Sequence, residues 1–503
     1  MIEENHLADL KERDAVAEAQ AVLTTLDNSS LSRFHFKTLL TSGMGFFTDA
    51  YDLFIIGVVL AILTPLWHLN ALEISILGST SLIAAALGSI IFGRLADQLG
   101  RKFIYGYELV VLAAGAIASA LSPNVLLLVI FRFILGLGIG GDYPVSATLM
   151  SEYANRKDRG KLITLVFSMQ GLGLILGPLV AIILLLSGLN HDLTWRIMLA
   201  LGAVPALATF YLRRQIAETP RFTLSMQGNL AEASRTVDMV TMKQNANNGA
   251  SPKLSRSQES GSVNLSNGKH ASLQRPGRSW MYLLLQSRYL RWLIGAAGAW
   301  FLLDIAYYGT TISSPLVLKS LNSHANLVTN MVYTLLIFLI AALPGYIVAA
   351  FMIDRLGRKW IQCFGFGMMA LAYGLLAIAP ALTSITLAFL LVYGVSYFFT
   401  EFGPNVTTFV YPAEIFPVMV RTSAHGIAAA VGKIGAFIGA FAFPYLLSNF
   451  HLPGAMAVAA VICLAGLLLT VFTLPEPNQR SLEDVSHEHA ARVAHTERVV
   501  VLQ

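Results

Sequence analysis

Runs of about twenty or more mainly apolar residues recur along almost the whole 503-residue chain, and no other feature constrains its fold as strongly. A helix that bridges the hydrocarbon core of a bilayer needs about 20 such residues. Candidate stretches cover roughly 38–66, 73–98, 102–122, 124–152, 160–188 and 194–213, then 290–318, 326–353, 359–380, 383–411, 421–449 and 453–474. Backbone polar groups in lipid must be satisfied within the segment, so stretches of these lengths predict helices. The expected fold class is all-α integral membrane, with twelve transmembrane helices in two six-helix bundles. Charged residues make up only 13% of the chain, against about 25% in a soluble domain. That excludes a soluble enzyme, a nucleic-acid binder and a secreted disulfide scaffold. The two cysteines, Cys363 and Cys463, both lie in apolar runs and do not suggest a disulfide framework.

Orientation follows from the basic residues. Arg101, Lys102, Arg156, Lys157, Arg159 and Lys161 flank one set of connections in the first half, and Arg355, Arg358, Lys359 and Arg421 flank the equivalent set in the second. The opposite connections, such as PLWHLNAL at 65–72 and the turn at Ser122-Pro123, carry none; Arg196 and Lys319 are exceptions near helix ends. With an even number of spans, both termini and the long connection fall on the basic, cytoplasmic side. The expected division is a cytoplasmic N-terminal tail (1–36), a first bundle (37–213), a cytoplasmic flexible loop (214–288), a second bundle (289–474) and a cytoplasmic C-terminal tail (475–503). The start of the chain is polar and acidic, without a basic segment followed by an apolar one, so no cleaved signal peptide is expected. The middle of the long connection is too polar to order itself and reads as a linker, with an amphipathic portion near 222–242. A regulatory role for its serines is the rival reading.

The halves repeat each other. GRLADQLGRK at 93–102 returns as DRLGRK at 354–359, and Glu152 and Arg159 return as Glu414 and Arg421, an offset of 262 residues. Carried inward, that offset sets Tyr143 opposite Asn405 and Gln170 beside Lys433. Parallel repeats that bind a substrate between them near the midplane are one transporter architecture.

Charge inside a span costs about 2.5–3.5 kcal/mol on insertion scales, so each instance is a functional candidate. Asp49 and Asp52 lie in the first stretch, Arg132 and Asp142 in the fourth, Asp304 in the seventh, Glu401 in the tenth and Lys433 in the eleventh. Asp97, Arg101, Glu152, Arg159, Asp354, Arg358, Glu414 and Arg421 cluster near the cytoplasmic ends. They read either as ordinary ion pairs or as bridges that close that side in one state; their repetition favours a gate. Glu152/Arg159 and Glu414/Arg421 are the expected bridging pairs. Trp300, Asp304 and Tyr308 are spaced i, i+4, i+8 and share a helix face, as do Asp49 and Asp52 at i, i+3.

GMGFFTDAYDLF, GGDYPVSATLMSEYANRKDRG, WFLLDIAYY and FGPNVTTFVYPAEIFPVMVRTSAHG resemble signatures of the phosphate:proton symporters of the major facilitator superfamily. GRLADQLGRK and PRF at 220–222 are similar to motifs shared more widely, including the sugar-porter-like branch. The resemblance implies the major facilitator superfamily fold, with Tyr143, Gln170, Trp300, Asp304, Tyr308 and Asn405 around phosphate. It further implies proton-pathway roles for Asp49, Asp52 and Asp142, with Lys433 also needed for transport. Glu401 departs from the pattern, which has Asn there. It is either a peripheral or salt-bridged group, or a titratable one that changes proton stoichiometry or cargo.

The function expected is therefore proton-coupled import of inorganic phosphate by alternating access, in a plasma or bacterial inner membrane. Phosphate, protons and lipid are the expected partners, with no nucleic acid, no enzyme activity, no metal site and no cofactor. A transporter of another small solute (a sugar, organic anion or organic cation) and a phosphate-sensing transceptor are the rival readings.

Overall fold

The computed structural model describes residues 2–241, 280–312, 317, 326–379, 381–382 and 385–488. Lys319, the Ser-rich middle of the long connection and the last fifteen residues of the expected C-terminal tail (489–503) lie outside the described residues. Eleven helical stretches there are long and apolar enough to span a bilayer. They are Arg33–Trp67, Ala71–Leu99, Arg101–Ala120, Val125–Tyr153, Arg159–Leu186, His191–Arg213, Ser287–Ile312, Leu327–Leu356, Arg358–Ile378, Thr386–Ile415 and Arg421–Thr473. The last is 53 residues long, and its backbone leaves helical geometry at His451, where φ is 56°. At 1.5 Å per residue it would be far longer than the bilayer is thick. The break divides it into two spans, so eleven stretches give twelve crossings.

Start signals in the sequence explain several boundaries. The second, fourth, sixth and eighth spans all begin at the end poor in basic residues, and each has an asparagine N-cap. Asn70, Asn124, Asn190 and Asn326 accept from the amides of Glu73, Leu127, Leu193 and Thr329, which satisfies a helix-end donor without adding charge. Three spans expected to be continuous are interrupted. The third breaks at Tyr105–Gly106, where Gly106 has φ 108°. The sixth divides at Gly202. The tenth stops at Phe402 and restarts at Pro404 after Gly403 (φ −108°, ψ −111°). Proline suits a helix's first position, where its missing N–H costs no ladder bond, so Pro404 is placed to start the second segment.

The packing repeats as the sequence does. The first span packs on the fifth, the second on the fourth, and the seventh and ninth on the Arg421–Thr473 stretch. Between the halves, the second span packs against the eleventh and the fifth against the eighth, pairs that the repeat interchanges. Contact between the second and eleventh is close enough that a Cβ on Gly426 would strike the Ser89 carbonyl. The ends of the long connection are helical, including Leu230–Thr241, which packs against the N-terminal helix Ile2–Asp27 through its buried face.

Candidate functional site

At the basic end, the eight charges predicted there form two clusters of four, all buried except the partly exposed Asp354. Arg101 pairs with Asp97 and with Glu152, both at 3.1 Å. Its counterpart Arg358 pairs with Asp354 and Glu414, both at 2.8 Å. The bridging pairs differ from the expectation. Glu152 does not bridge to Arg159 but to Arg421, at 3.2 Å, and Glu414 takes Arg159, at 2.9 Å. Each glutamate thus accepts an arginine from its own half and one from the other. The reason is positional: each arginine opens a helix that packs against the opposite half.

The aspartates reinforce this exchange. Asp97 accepts from the Thr422 and Ser423 amides at 3.3 and 2.6 Å, and Asp354 from those of Gly160 and Lys161 at 3.1 and 2.7 Å. Each carboxylate therefore caps the first turn of a helix in the other half, where the backbone dipole favours negative charge. Outside the spans, Arg221 of the PRF motif adds a clasp, pairing with Asp27 and with Glu483. Burial alone would raise the Glu483 pKa, but Arg221 outweighs it and holds the carboxyl down to about 2.

Inward of this layer is an aromatic one. Phe167 stacks on Phe409 with centroids 4.5 Å apart, Phe46 meets Phe409 edge-on at 5.0 Å, and Tyr143 meets Trp300 at 6.0 Å. All three contacts join the two halves. His425 packs edge-on against Trp300 at 5.6 Å.

At mid-height the predicted site residues assemble into two groups. In the first, Lys433 Nζ donates to Asp304 Oδ2 at 3.2 Å and to the Tyr308 hydroxyl at 3.0 Å. The same ammonium lies 4.6 Å from the Tyr143 ring centre, a favourable distance for a cation over an aromatic face. The helical spacing of Trp300, Asp304 and Tyr308 thus places them around one point. In the second group, the Tyr346 hydroxyl donates to Gln170 Oε1 at 2.9 Å, and Asn405 Nδ2 donates to the Tyr346 oxygen at 3.0 Å. Asn405 Nδ2 also donates to Glu401 Oε2. Glu401 is fully buried and forms no ion pair among the described residues, so it is neither peripheral nor salt-bridged. A cavity of about 20 Å³, lined by Gln170, Tyr307 and Tyr308 among others, adjoins both groups. It has room for about one water, and Gln170, Asp304, Tyr308 and Asn405 beside it are all buried.

The first-half carboxylates form a further group that meets the first at Lys433. Asp142 accepts from Arg213 at 2.6 and 3.1 Å and from Ser146, and Arg213 also pairs with Glu108. Asp49 faces Asp142, Arg213 and Lys433, while Asp52 faces Arg132. None of the four carboxylate oxygens of Asp49 and Asp52 has a hydrogen-bond partner. Glu108 and Arg213 do not stand out in the sequence. Glu108 follows Arg101 and Lys102 closely, Arg213 adjoins Arg214, and both look like orientation charges at helix ends. Tyr307 and His425 lie inside the quoted signatures without standing out there, and Tyr346 carries no signal in its apolar run.

The chain matches the family described as Sugar (and other) transporter over residues 30–489. Inorganic phosphate transporter 1-11 of Oryza sativa subsp. japonica is 37% identical to it, covering 93% of this chain and 90% of the relative. The chain belongs to the phosphate-transporter branch of this family. Probable inorganic phosphate transporter 1-6 of Arabidopsis thaliana is 36% identical over 94% of this chain and 97% of its own length. This family member shares its fold with the major facilitator superfamily proton:xylose symporter XylE, bound to 6-bromo-6-deoxy-D-glucose. That structure has a TM-score of 0.75 and 20% identity, covering 91% of this chain and 99% of the other. An inward open conformation of the xylose transporter from E. coli scores 0.62 at 19% identity over 90% and 99%. The chain is therefore a multi-pass integral membrane protein and a secondary transporter, not an enzyme. Among the described residues, no group of three or more His, Cys, Asp or Glu side chains is placed to hold a metal ion.

Proposed function

We propose that this transporter imports inorganic phosphate together with protons, by rocking its two bundles (37–213 and 289–474) about the central side-chain groups. The observation that carries the reading is the Asp304–Lys433–Tyr308 group, lying beside the Gln170–Tyr346–Asn405 chain between the two halves. The ammonium, phenol, amide and indole groups of Lys433, Tyr143, Tyr308, Gln170, Asn405 and Trp300 are donors suited to phosphate oxygens. Asp304 repels the anion when ionised and donates to it when protonated, so proton loading and phosphate binding are linked there.

Coupling has an energetic reason. Moving a negative charge into a negative interior costs about 2.3 kcal/mol per charge per 100 mV, so an uncoupled carrier would lose phosphate. Asp49, Asp52 and Asp142 form the proton branch. The unpartnered oxygens of Asp49 and Asp52 support it, because a neutral acid costs far less to bury than an ion. The two four-charge clusters serve as the cytoplasmic gate, a reading supported by their pairing across the halves. This reading puts both termini and the 214–288 connection on the cytoplasmic side of a plasma or bacterial inner membrane.

Competition separates phosphate from other cargo. In proteoliposomes, unlabelled phosphate should displace labelled phosphate, while xylose, a dicarboxylate and choline should not. Displacement by one of these at equal concentration would contradict the assignment.

A further inference from the structure

Glu401 and Asn405 lie on either side of the break in the tenth span, four residues apart, and their side chains meet. An asparagine amide has two N–H donors. Here Nδ2 gives one contact to Glu401 Oε2 and the other to the Tyr346 hydroxyl. Asn405 therefore has no donor left for an anion, although it stands at the centre of the proposed phosphate site.

Among the described residues, no cation pairs with Glu401. The titratable groups that face it are Tyr307 of the seventh span and Tyr346 of the eighth, with Asn405 its neighbour on its own span. Lys433, the ammonium of the site, is held instead by Asp304 and Tyr308. The buried Tyr307 hydroxyl faces the Glu401 carboxylate, and neither it nor Glu401 Oε1 has a further partner among the described residues. A proton placed on Oε1 would meet that hydroxyl as an acceptor. It would also turn the Asn405–Glu401 contact from a charge-assisted hydrogen bond into a neutral one, which is roughly half as strong.

We propose that Glu401 is a second proton-loading carboxylate of the transport site, and that its protonation releases the Asn405 amide to bind the anion. The proton comes from water on the side to which the site is open and is returned when phosphate leaves. No other bond is made or broken. This inference rests on the phosphate reading above and adds to it a proton that is taken up with phosphate on the second half of the protein, apart from the Asp49–Asp52–Asp142 branch. A side chain without a titrating carboxyl at this position would bind phosphate with one proton fewer.

The test is calorimetric titration of the purified full-length protein with inorganic phosphate, in buffers of different ionisation enthalpy and over a range of pH. Wild type and Glu401→Gln are compared, the amide keeping the size of the protonated acid. Proton uptake per bound phosphate should fall by about one in E401Q, and the slope of log Kd against pH should fall by about one, a tenfold change per pH unit. E401D should recover both. A protonated-carboxyl infrared band that grows when wild type binds phosphate should lose the component from Glu401 in E401Q and keep the one from Asp304. Equal proton uptake and equal pH slopes in wild type and E401Q would overturn the role of Glu401 while leaving phosphate as the cargo. Failure of the folded wild type to bind phosphate at any pH would overturn the cargo and this inference together. Should E401Q fold poorly, a wild-type infrared spectrum without a new protonated-carboxyl band on phosphate binding overturns the proposal by itself.

Discussion

Arg159 Nε donates to Glu414 Oε1 at 2.9 Å, joining the fifth span to the tenth across the boundary between the two halves. Its repeat-related partner, Arg421 with Glu152, makes the same crossing at 3.2 Å. Both contacts are fully buried, so removing one member leaves a buried charge uncompensated, at a cost of about 3–5 kcal/mol. That cost falls on the closed state alone, because the crossing exists only while the halves meet. Glu414→Gln is expected to open the basic end. A cysteine introduced at Ser423 should react at least tenfold faster with a membrane-impermeant thiol reagent applied from that side. Glu152→Gln should act alike, since the repeat gives it the same role.

Close backbone approach supports the same closure. A side chain at Gly426 would meet the Ser89 carbonyl of the second span, and overpacking of this kind costs about 1–3 kcal/mol. Gly426→Val should leave the protein folded by size-exclusion profile but lower phosphate uptake at least fivefold. Its Ser423 cysteine should label as fast as in the glutamate variants.

Asp304 and Lys433 should give different defects. Asp304→Asn removes the proton-linked charge but keeps a hydrogen-bonding group of the same size. It is expected to retain phosphate exchange across liposomes at equal pH and to lose gradient-driven accumulation by tenfold or more. Lys433→Ala removes the ammonium that serves both Asp304 and Tyr308 and should abolish exchange as well. Paired exchange and uptake assays distinguish the two.

The clasp outside the membrane gives a pH dependence with a definite sign. Glu483 titrates near 2 in the folded protein because, despite burial, Arg221 holds it low, against about 4.3 when unfolded. A depressed carboxyl adds stability above its unfolded pKa and loses it as pH falls through the folded one. The melting-temperature difference between wild type and Glu483→Gln should be constant from pH 7 to about 5. It should shrink below about 4.3 and vanish near 2.

The sequence revealed most of the fold for a simple physical reason. Lipid demands apolar helices of fixed length, and the scarcity of charge made Asp304, Lys433 and Glu401 visible as candidates. The i, i+4, i+8 spacing of Trp300, Asp304 and Tyr308 was enough to predict that they line one face. Partner choice was less legible. The expected Glu152–Arg159 and Glu414–Arg421 bridges exchanged members, because pairing depends on which helix end meets which half, and a linear repeat does not encode that contact. Glu108 and Arg213 looked like interface charges until folding buried them against Asp142. Tyr346, which links Gln170 to Asn405, is a phenol in an apolar run and is indistinguishable there from packing.

Accumulation of labelled phosphate by the purified protein in liposomes, under an imposed inward proton gradient, tests the central claim most directly. Proton-coupled phosphate import predicts accumulation above the external concentration, acidification of the lumen in step with it, and loss of both when a protonophore collapses the gradient. Phosphate that merely equilibrates, or that accumulates equally with the gradient collapsed, would contradict it.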